Sequence, residues 1–176
     1  MALDGAFLYA VKNELEPLIG GRVDKIHQPS REEIVISLRT KQGAKKLYIS
    51  ANAGSARVHI TEKQVDNPQV PPMFCMLLRK HLGSGRLTGI RQDGLERILF
   101  LDFECVNELG DVVTVTLACE IMGRCSNLIV IDSGGRVIDS IKRVDSEMSR
   151  ERMVLPGMEY SLPPRDDRLN FLTAQP

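Results

Sequence analysis

Chemistry is concentrated in residues 71–103, where Arg79, Lys80, Arg86, Arg91 and Arg97 recur against an apolar background. Guanidinium and ammonium groups suit phosphate oxygens, Arg through two parallel hydrogen bonds and Lys as a point charge. Glu96 and Arg97 stand together just ahead of the apolar run Ile98 to Phe103. Neighbours on a strand face opposite sides, so one of the pair should point toward the helix that covers the strand and the other away. A charge at the mouth of a buried strand is either tied down by a partner or offered to a ligand. The plain reading is an exposed ion pair, which contributes little. The sharper reading is a phosphate-binding surface built from all five cations.

Other chemistries find little support. His27, His59 and His81 are far apart in sequence, and His81 falls on the apolar face of its expected helix, which suits a satisfied core histidine. Gly83-Ser84-Gly85-Arg86-Leu87-Thr88-Gly89 follows a helix instead of a strand and has the wrong spacing for a dinucleotide fingerprint. No Walker loop, GxSxG elbow or HExxH motif occurs. Cys75, Cys105, Cys119 and Cys125 form no CxxC pair and have no histidine at ligand spacing. They read as reduced thiols of a cytoplasmic protein, with no metal, disulfide or cofactor expected.

The elements that must position these residues follow from periodicity. Asp4 is a plausible N-cap for a helix carrying Phe7, Leu8, Val11 and Leu15 on one face, ended by Pro17. Arg22 to Gln28, Ile34 to Arg39, Leu47 to Ser50 and Ala56 to Ile60 alternate as short strands, with Pro29-Ser30 as a turn. Pro71 and Pro72 suit a helix start, and Phe74, Leu77, Leu78 and Leu82 share its apolar face. Gly83 and Gly85 are expected to end it by taking left-handed conformations. Ile98 to Phe103 reads as a strand covered on both faces, then Val112 to Glu120, Leu128 to Ile131 and Arg136 to Ile141 follow as further strands. From Arg143 the pattern fades into an extended tail with Pro163-Pro164.

The 176 residues suit one domain, with ordinary hydrophobic (43%) and charged (26%) content. The formal net charge is zero, so no global attraction to nucleic acid or membrane follows. The distribution is uneven: 22–46 and 79–97 are rich in Lys and Arg, whereas 99–120 carries only acids. Met1 to Pro17 has no long uncharged apolar run, so neither a secretory signal nor a membrane span is expected there. The expected fold is α+β, an antiparallel β-sandwich-like domain with two main helices.

Several long motifs occur together and in order: Met1-Ala-Leu-Asp-Gly5, Gly20-Gly-Arg-Val-Asp-Lys-Ile-His-Gln-Pro29, Ser50-Ala-Asn52, Ala56-Arg57 with Thr61-Glu62, the run Pro71 to Leu82, and Glu120-Ile-Met-Gly-Arg-Cys-Ser-Asn127. Across residues 1–164 the chain resembles the NFACT-N domain of the bacterial ribosome-quality-control factors. These are relatives of the eukaryotic nuclear export mediator factor and were long labelled fibronectin-binding proteins. Residues 165–176 would then begin a linker to downstream domains.

The resemblance implies a protein that binds a large ribosomal subunit still carrying peptidyl-tRNA and recruits alanyl-tRNA for alanine tailing without mRNA. It implies a fold like the N-terminal domain of formamidopyrimidine-DNA glycosylase and a domain that contacts tRNA. The family's acidic-Arg pair maps onto Glu96 and Arg97, with Glu standing where Asp is usual. A second motif maps onto Glu120, Ile121 and Met122, and Arg124 joins Arg79, Lys80, Arg86 and Arg91 as a candidate phosphate contact. Peptide transfer would remain ribosomal, so the domain itself is not expected to be an enzyme. Two other readings are weaker. A glycosylase of this fold would use an N-terminal proline amine and an adjacent glutamate, where this chain has Ala2 and Leu3. A fibronectin-binding adhesin would need a signal or anchor that is not seen.

Overall fold

The computed structural model describes residues 5–64, 66–92, 97–145 and 152–163. Ala2, Leu3, Asp4, Glu96 and 165–176 therefore lie outside the described residues, and with them the expectations for the N-cap and for the acidic member of the Glu96–Arg97 pair.

In chain order the elements are α1 (Gly5–Leu15), β1 (Arg22–Ser30), β2 (Glu33–Thr40), β3 (Gly43–Ser50), β4 (Arg57–Thr61), α2 (Met73–Leu82), β5 (Arg86–Gln92), β6 (Ile98–Val106), β7 (Val112–Glu120), β8 (Asn127–Ile131) and β9 (Val137–Ser140). The α+β class and the antiparallel pairing are as expected. The sandwich-like arrangement is not: the strands form one hydrogen-bonded sheet in the order β4-β3-β2-β1-β5-β6-β7-β8-β9. Consecutive hairpins give this order at each end, and only the β1–β5 junction bridges elements distant in sequence.

That junction is a narrow seam. Only Arg22 and Arg86 pair in register, helped by Gly20 N–H to Leu87 O at 2.7 Å, Leu87 N–H to Gly21 O at 2.9 Å and Val23 N–H to Gly85 O at 2.7 Å. Past Val23 the two strands diverge, and α2 takes the open edge of β1. Cys75 Sγ and Arg79 Nε both donate to Ile26 O, at 3.6 and 2.9 Å. Unpaired strand carbonyls need partners, and these side chains supply them.

One face of the sheet curls around both helices. α1 meets β4, β5 and β6, while α2 meets β1, β6 and β9. Ile34, Ile36, Leu38, Leu47, Ile49, Leu87, Leu99, Leu101, Phe103, Leu117 and Leu128 line this inner face, against Val11 and Leu15 of α1 and Phe74, Leu78 and Leu82 of α2. Lys142 Nζ, just beyond β9, reaches Ala51 O at 2.6 Å and Glu32 at 3.3 Å, tying the far ends of the two halves together. A smaller core lies on the other side of β6–β9. There Ile98, Phe100, Ala118, Ile129, Ile131 and Val137 are covered by Val154 and Tyr160 from the 152–163 strap. Ile98 to Phe103 is thus buried on both faces, as its apolar run requires, and residues 152–163 form a packed strap instead of a free extension.

Three local expectations change. Pro29 and Ser30 continue β1 instead of turning it, Ser30 pairing with Glu33. Gly83 has φ −56°, and the left-handed residue after α2 is Ser84 at φ 63°. The two glycines are required by close approach instead: a Cβ on Gly83 would lie 2.4 Å from Arg79 O, and one on Gly85 2.7 Å from Cys105 Sγ. His81 is half-buried on the flank of α2, where burial lowers its pKa, and is not a core residue.

Candidate nucleic-acid interface

Arg97 is exposed in the bend that leads into β6. Its carbonyl accepts from Ile121 N–H at 2.9 Å, so the start of β6 is pinned to the residue that follows β7. Ile98 pairs with Glu120 one step further along. The two motifs singled out in the sequence, at Arg97 and at Glu120-Ile121-Met122, therefore meet at one end of one strand pair. Met122 N–H donates to Ser126 Oγ at 2.8 Å and opens a single 3-10 turn, 123–125, which leaves Arg124 and Cys125 exposed. Gly123 takes φ 61° in that turn, a conformation that favours glycine.

Within this cluster, solvent reaches Arg97, Met122 and Arg124 but not the acid. Glu120 is completely buried. Its two oxygens accept a bidentate pair from Arg152 at 2.9 and 2.7 Å, and Tyr160 Oη adds a third bond at 2.7 Å. The carboxylate is thus fully engaged within the fold, and Ile121 is buried beside it. Burial, reinforced by the neighbouring carboxylate, pushes the Tyr160 phenol far above its ordinary pKa, so it stays a hydrogen-bond donor. Around Arg152, burial opposes the charge, but the bonds to Glu120 more than restore it and the guanidinium is held more firmly protonated. This group is a clamp: it fastens the 152–163 strap to the end of β7, directly under the Arg97 edge.

The remaining candidate cations do not converge on that edge. Arg91 stands on β5 opposite Phe100, with its guanidinium 4.9 Å above the ring and bonded to Asp102 at 2.6 and 2.9 Å. Thr116 Oγ1 donates to the same carboxylate at 2.7 Å. Burial raises the Asp102 pKa, but these bonds outweigh it and hold the carboxyl below its usual range. Arg86 pairs with Glu104, seven residues along β6 from Arg97 and so about 23 Å away at the rise of a strand. Lys80 pairs with Glu108 at 3.3 Å, past the far end of β6, and Arg79 turns back to β1. The five cations are thus spread along β6: Arg97 stands at its start, Arg91 is tied to Asp102 within it, and Arg79, Lys80 and Arg86 lie toward its other end.

Several site residues were not legible in the spacing. Arg152 and Tyr160 belong to a stretch without periodicity, and nothing in it points to Glu120. Cys75, Cys105 and Cys119 are buried free thiols; burial raises all three pKa values, that of Cys105 to about 11, so none is a ready thiolate. Among the described residues no group of His, Cys, Asp and Glu could hold a metal ion.

Comparison with known proteins gives the family of this curled antiparallel sheet with its helices on one face. Residues 4–176 match the family described as NFACT N-terminal and middle domains, and the chain belongs to that family. It is 44% identical over 176 residues to the Rqc2 homolog RqcH of Bacillus subtilis, covering 99% of this chain and 31% of that protein. A more distant relative, the ribosome quality control complex subunit 2 of Schizosaccharomyces pombe, is 26% identical over 155 residues, 87% of this chain and 14% of that one. Among solved structures, the N-terminal domain of the fibronectin-binding protein PavA from Streptococcus pneumoniae superposes with a TM-score of 0.88 at 32% identity, over 99% of this chain and 70% of that one. The chain spans about a third of the length of its bacterial curated relatives. Its homologues are ribosome-quality-control factors. No helix among the described residues is long and apolar enough to cross a membrane.

Proposed function

We propose that this chain is the tRNA-facing module of a ribosome-quality-control factor that binds large ribosomal subunits carrying peptidyl-tRNA. In this reading the factor recruits alanyl-tRNA for alanine tailing without mRNA, and peptide transfer stays with the ribosome. The observation that carries it is the Arg97 edge: an exposed arginine whose backbone carbonyl is held by Ile121 N–H, at the end of the strand pair from which the turn bearing exposed Arg124 leaves. Two such cations on a rigid strand end suit backbone phosphates of folded RNA, which is recognised more by shape and backbone than by base edges within helices. Glu120 acts from beneath, by holding the strap that supports the edge. Glu96 would orient Arg97 or accept from a ribose hydroxyl.

Titrating tRNA into the wild-type chain and Arg97→Ala at several salt concentrations tests the reading. The variant should bind about tenfold more weakly, with the slope of log affinity against log salt reduced by about one. Equal affinity and equal slope would remove Arg97 from the interface. Fibronectin binding, the property named for PavA, is the second reading, and binding of immobilised fibronectin that Arg97→Ala leaves unchanged would favour it.

A further inference from the structure

The divergence of β1 from β5 leaves a groove of about 250 Å³ between β1 and the C-terminal part of α2, lined by Val23, Asp24, Lys25, Ile26, His27, Arg79, Gly83 and Ser84. Its charged walls are mostly cationic. Lys25, Ser37 and Lys46 stand opposite one another on β1, β2 and β3, so the two ammonium groups share the outer face of the sheet. Neither lysine is ion-paired among the described residues. Arg79 uses its Nε on Ile26 O, which fixes the guanidinium at the wall. The one acid lining the groove, Asp24, lies 3.5 Å from Arg39. Burial, then Arg79, Lys25 and Lys46 in turn, hold the His27 imidazole below its usual pKa, so it is neutral at pH 7.

A second, independent feature adjoins the groove. His27 and Arg79 also line a recess of about 20 Å³ shared with Gln28, Asn67, Pro68 and Cys75. Gln28 is 5% exposed and donates through Nε2 to Arg31 O at 3.3 Å, which fixes the amide orientation. Its Oε1 is buried and accepts no hydrogen bond from any of the described residues. A buried acceptor left unmet is costly, and a recess of this size admits one donor group, such as a hydroxyl.

We propose that this groove is a second RNA-backbone site, in which Lys25, His27 and Arg79 hold a phosphate, Lys46 adds positive charge from two strands away on the same sheet face, and Gln28 Oε1 accepts from the adjoining ribose 2′-hydroxyl. The inference rests on the reading of the chain as a tRNA-binding module and adds a separate contact, on the Arg86 side of the molecule. Cations supply affinity for any nucleic-acid backbone, whereas the acceptor at Gln28 tells ribose from deoxyribose. The neutral imidazole can donate to phosphate, and an anion arriving there offsets the three cations around it.

The 176-residue chain is titrated with an RNA hairpin, with the DNA hairpin of the same sequence, and with adenosine 5′-monophosphate while the His27 ring signals are followed by NMR. Lys25→Ala should weaken RNA binding about fivefold and lower the salt slope by about 0.7 to 0.9. Gln28→Leu should lower RNA affinity and leave DNA affinity unchanged, with a thermal midpoint held or raised because an unmet buried acceptor is gone. A structural glutamine would move these in the opposite sense. The nucleotide should raise the His27 pKa in the wild type. RNA binding lost in Arg97→Ala but unaltered in Lys25→Ala and Gln28→Leu overturns this site and leaves the first interface standing. A wild-type chain that binds neither hairpin, with no response at His27, overturns both.

Discussion

The two halves of the sheet share an inner core but treat their outer faces oppositely. Across β6–β9 the outer face is apolar, with Phe100, Ala118, Ile129 and Ile131, and the 152–163 strap covers it. Across β1–β4 the outer face carries Lys25, Ser37 and Lys46 in one cross-strand row and His27, Val35, Tyr48 and His59 in the next. Tyr48 and Val35 are buried there by their neighbours, with Arg57 4.9 Å above the tyrosine ring and the phenol bonded to Glu33. An apolar face needs a cover, whereas a charged one satisfies itself with water. The covered half can therefore hold a buried carboxylate under a rigid edge, and the polar half leaves cations open to a ligand.

The sharpest way to break this contrast is to undo the clamp. Arg152→Ala leaves Glu120 buried without its cation and should cost about 3 to 5 kcal/mol, read by urea denaturation. Arg152→Met with Glu120→Leu should recover much of that loss, because apolar replacement of a buried pair is often neutral. Recovery of stability without recovery of tRNA binding would mean that the ions matter for the shape of the edge and not only for holding the strap. Tyr160→Phe removes one bond to a charged acceptor and should cost about 1.5 to 3 kcal/mol in the same assay. A loss near zero would mean that Arg152 alone holds the strap.

The smallest effect concerns acid. Asp102 has its folded pKa lowered, so its stabilisation is full above the ordinary carboxylate pKa and is lost as pH falls through the lower folded value. Arg91 is largely exposed, so the pair should contribute only about 0.5 to 1 kcal/mol. Comparing wild type with Asp102→Asn by thermal denaturation, the gap should be present at pH 6 and shrink below about pH 4. A gap constant across that range would assign the effect to packing instead of charge.

Much of the fold was legible because its signals are local. Alternation in Ile34 to Arg39 and Val112 to Glu120, and the 3.6-residue spacing of Phe74, Leu78 and Leu82, are each fixed within one element. The doubly buried strand at Ile98 to Phe103 was legible too, since every position but Asp102 is apolar. The joining of all nine strands in one sheet was not, because the β1–β5 seam rests on one register pair and a few backbone bonds. Nor was the fate of the charges. The five cations of 79–97 look alike in sequence, and only strand register puts Arg86 and Arg97 at opposite ends of β6.

The chain order of apolar and polar residues determined which segments became strands and helices and which side of each faced inward, because burial acts residue by residue. Which polar groups were neutralised, and which were left facing solvent, was decided only when distant segments met. Glu120 became a buried anchor because Arg152 and Tyr160 arrived from 32 and 40 residues away. Gln28 Oε1 is buried where β1, α2 and 67–72 meet, with no hydrogen-bond partner among the described residues. Electrostatic partners are set by distance in space, and that distance exists only in the folded chain.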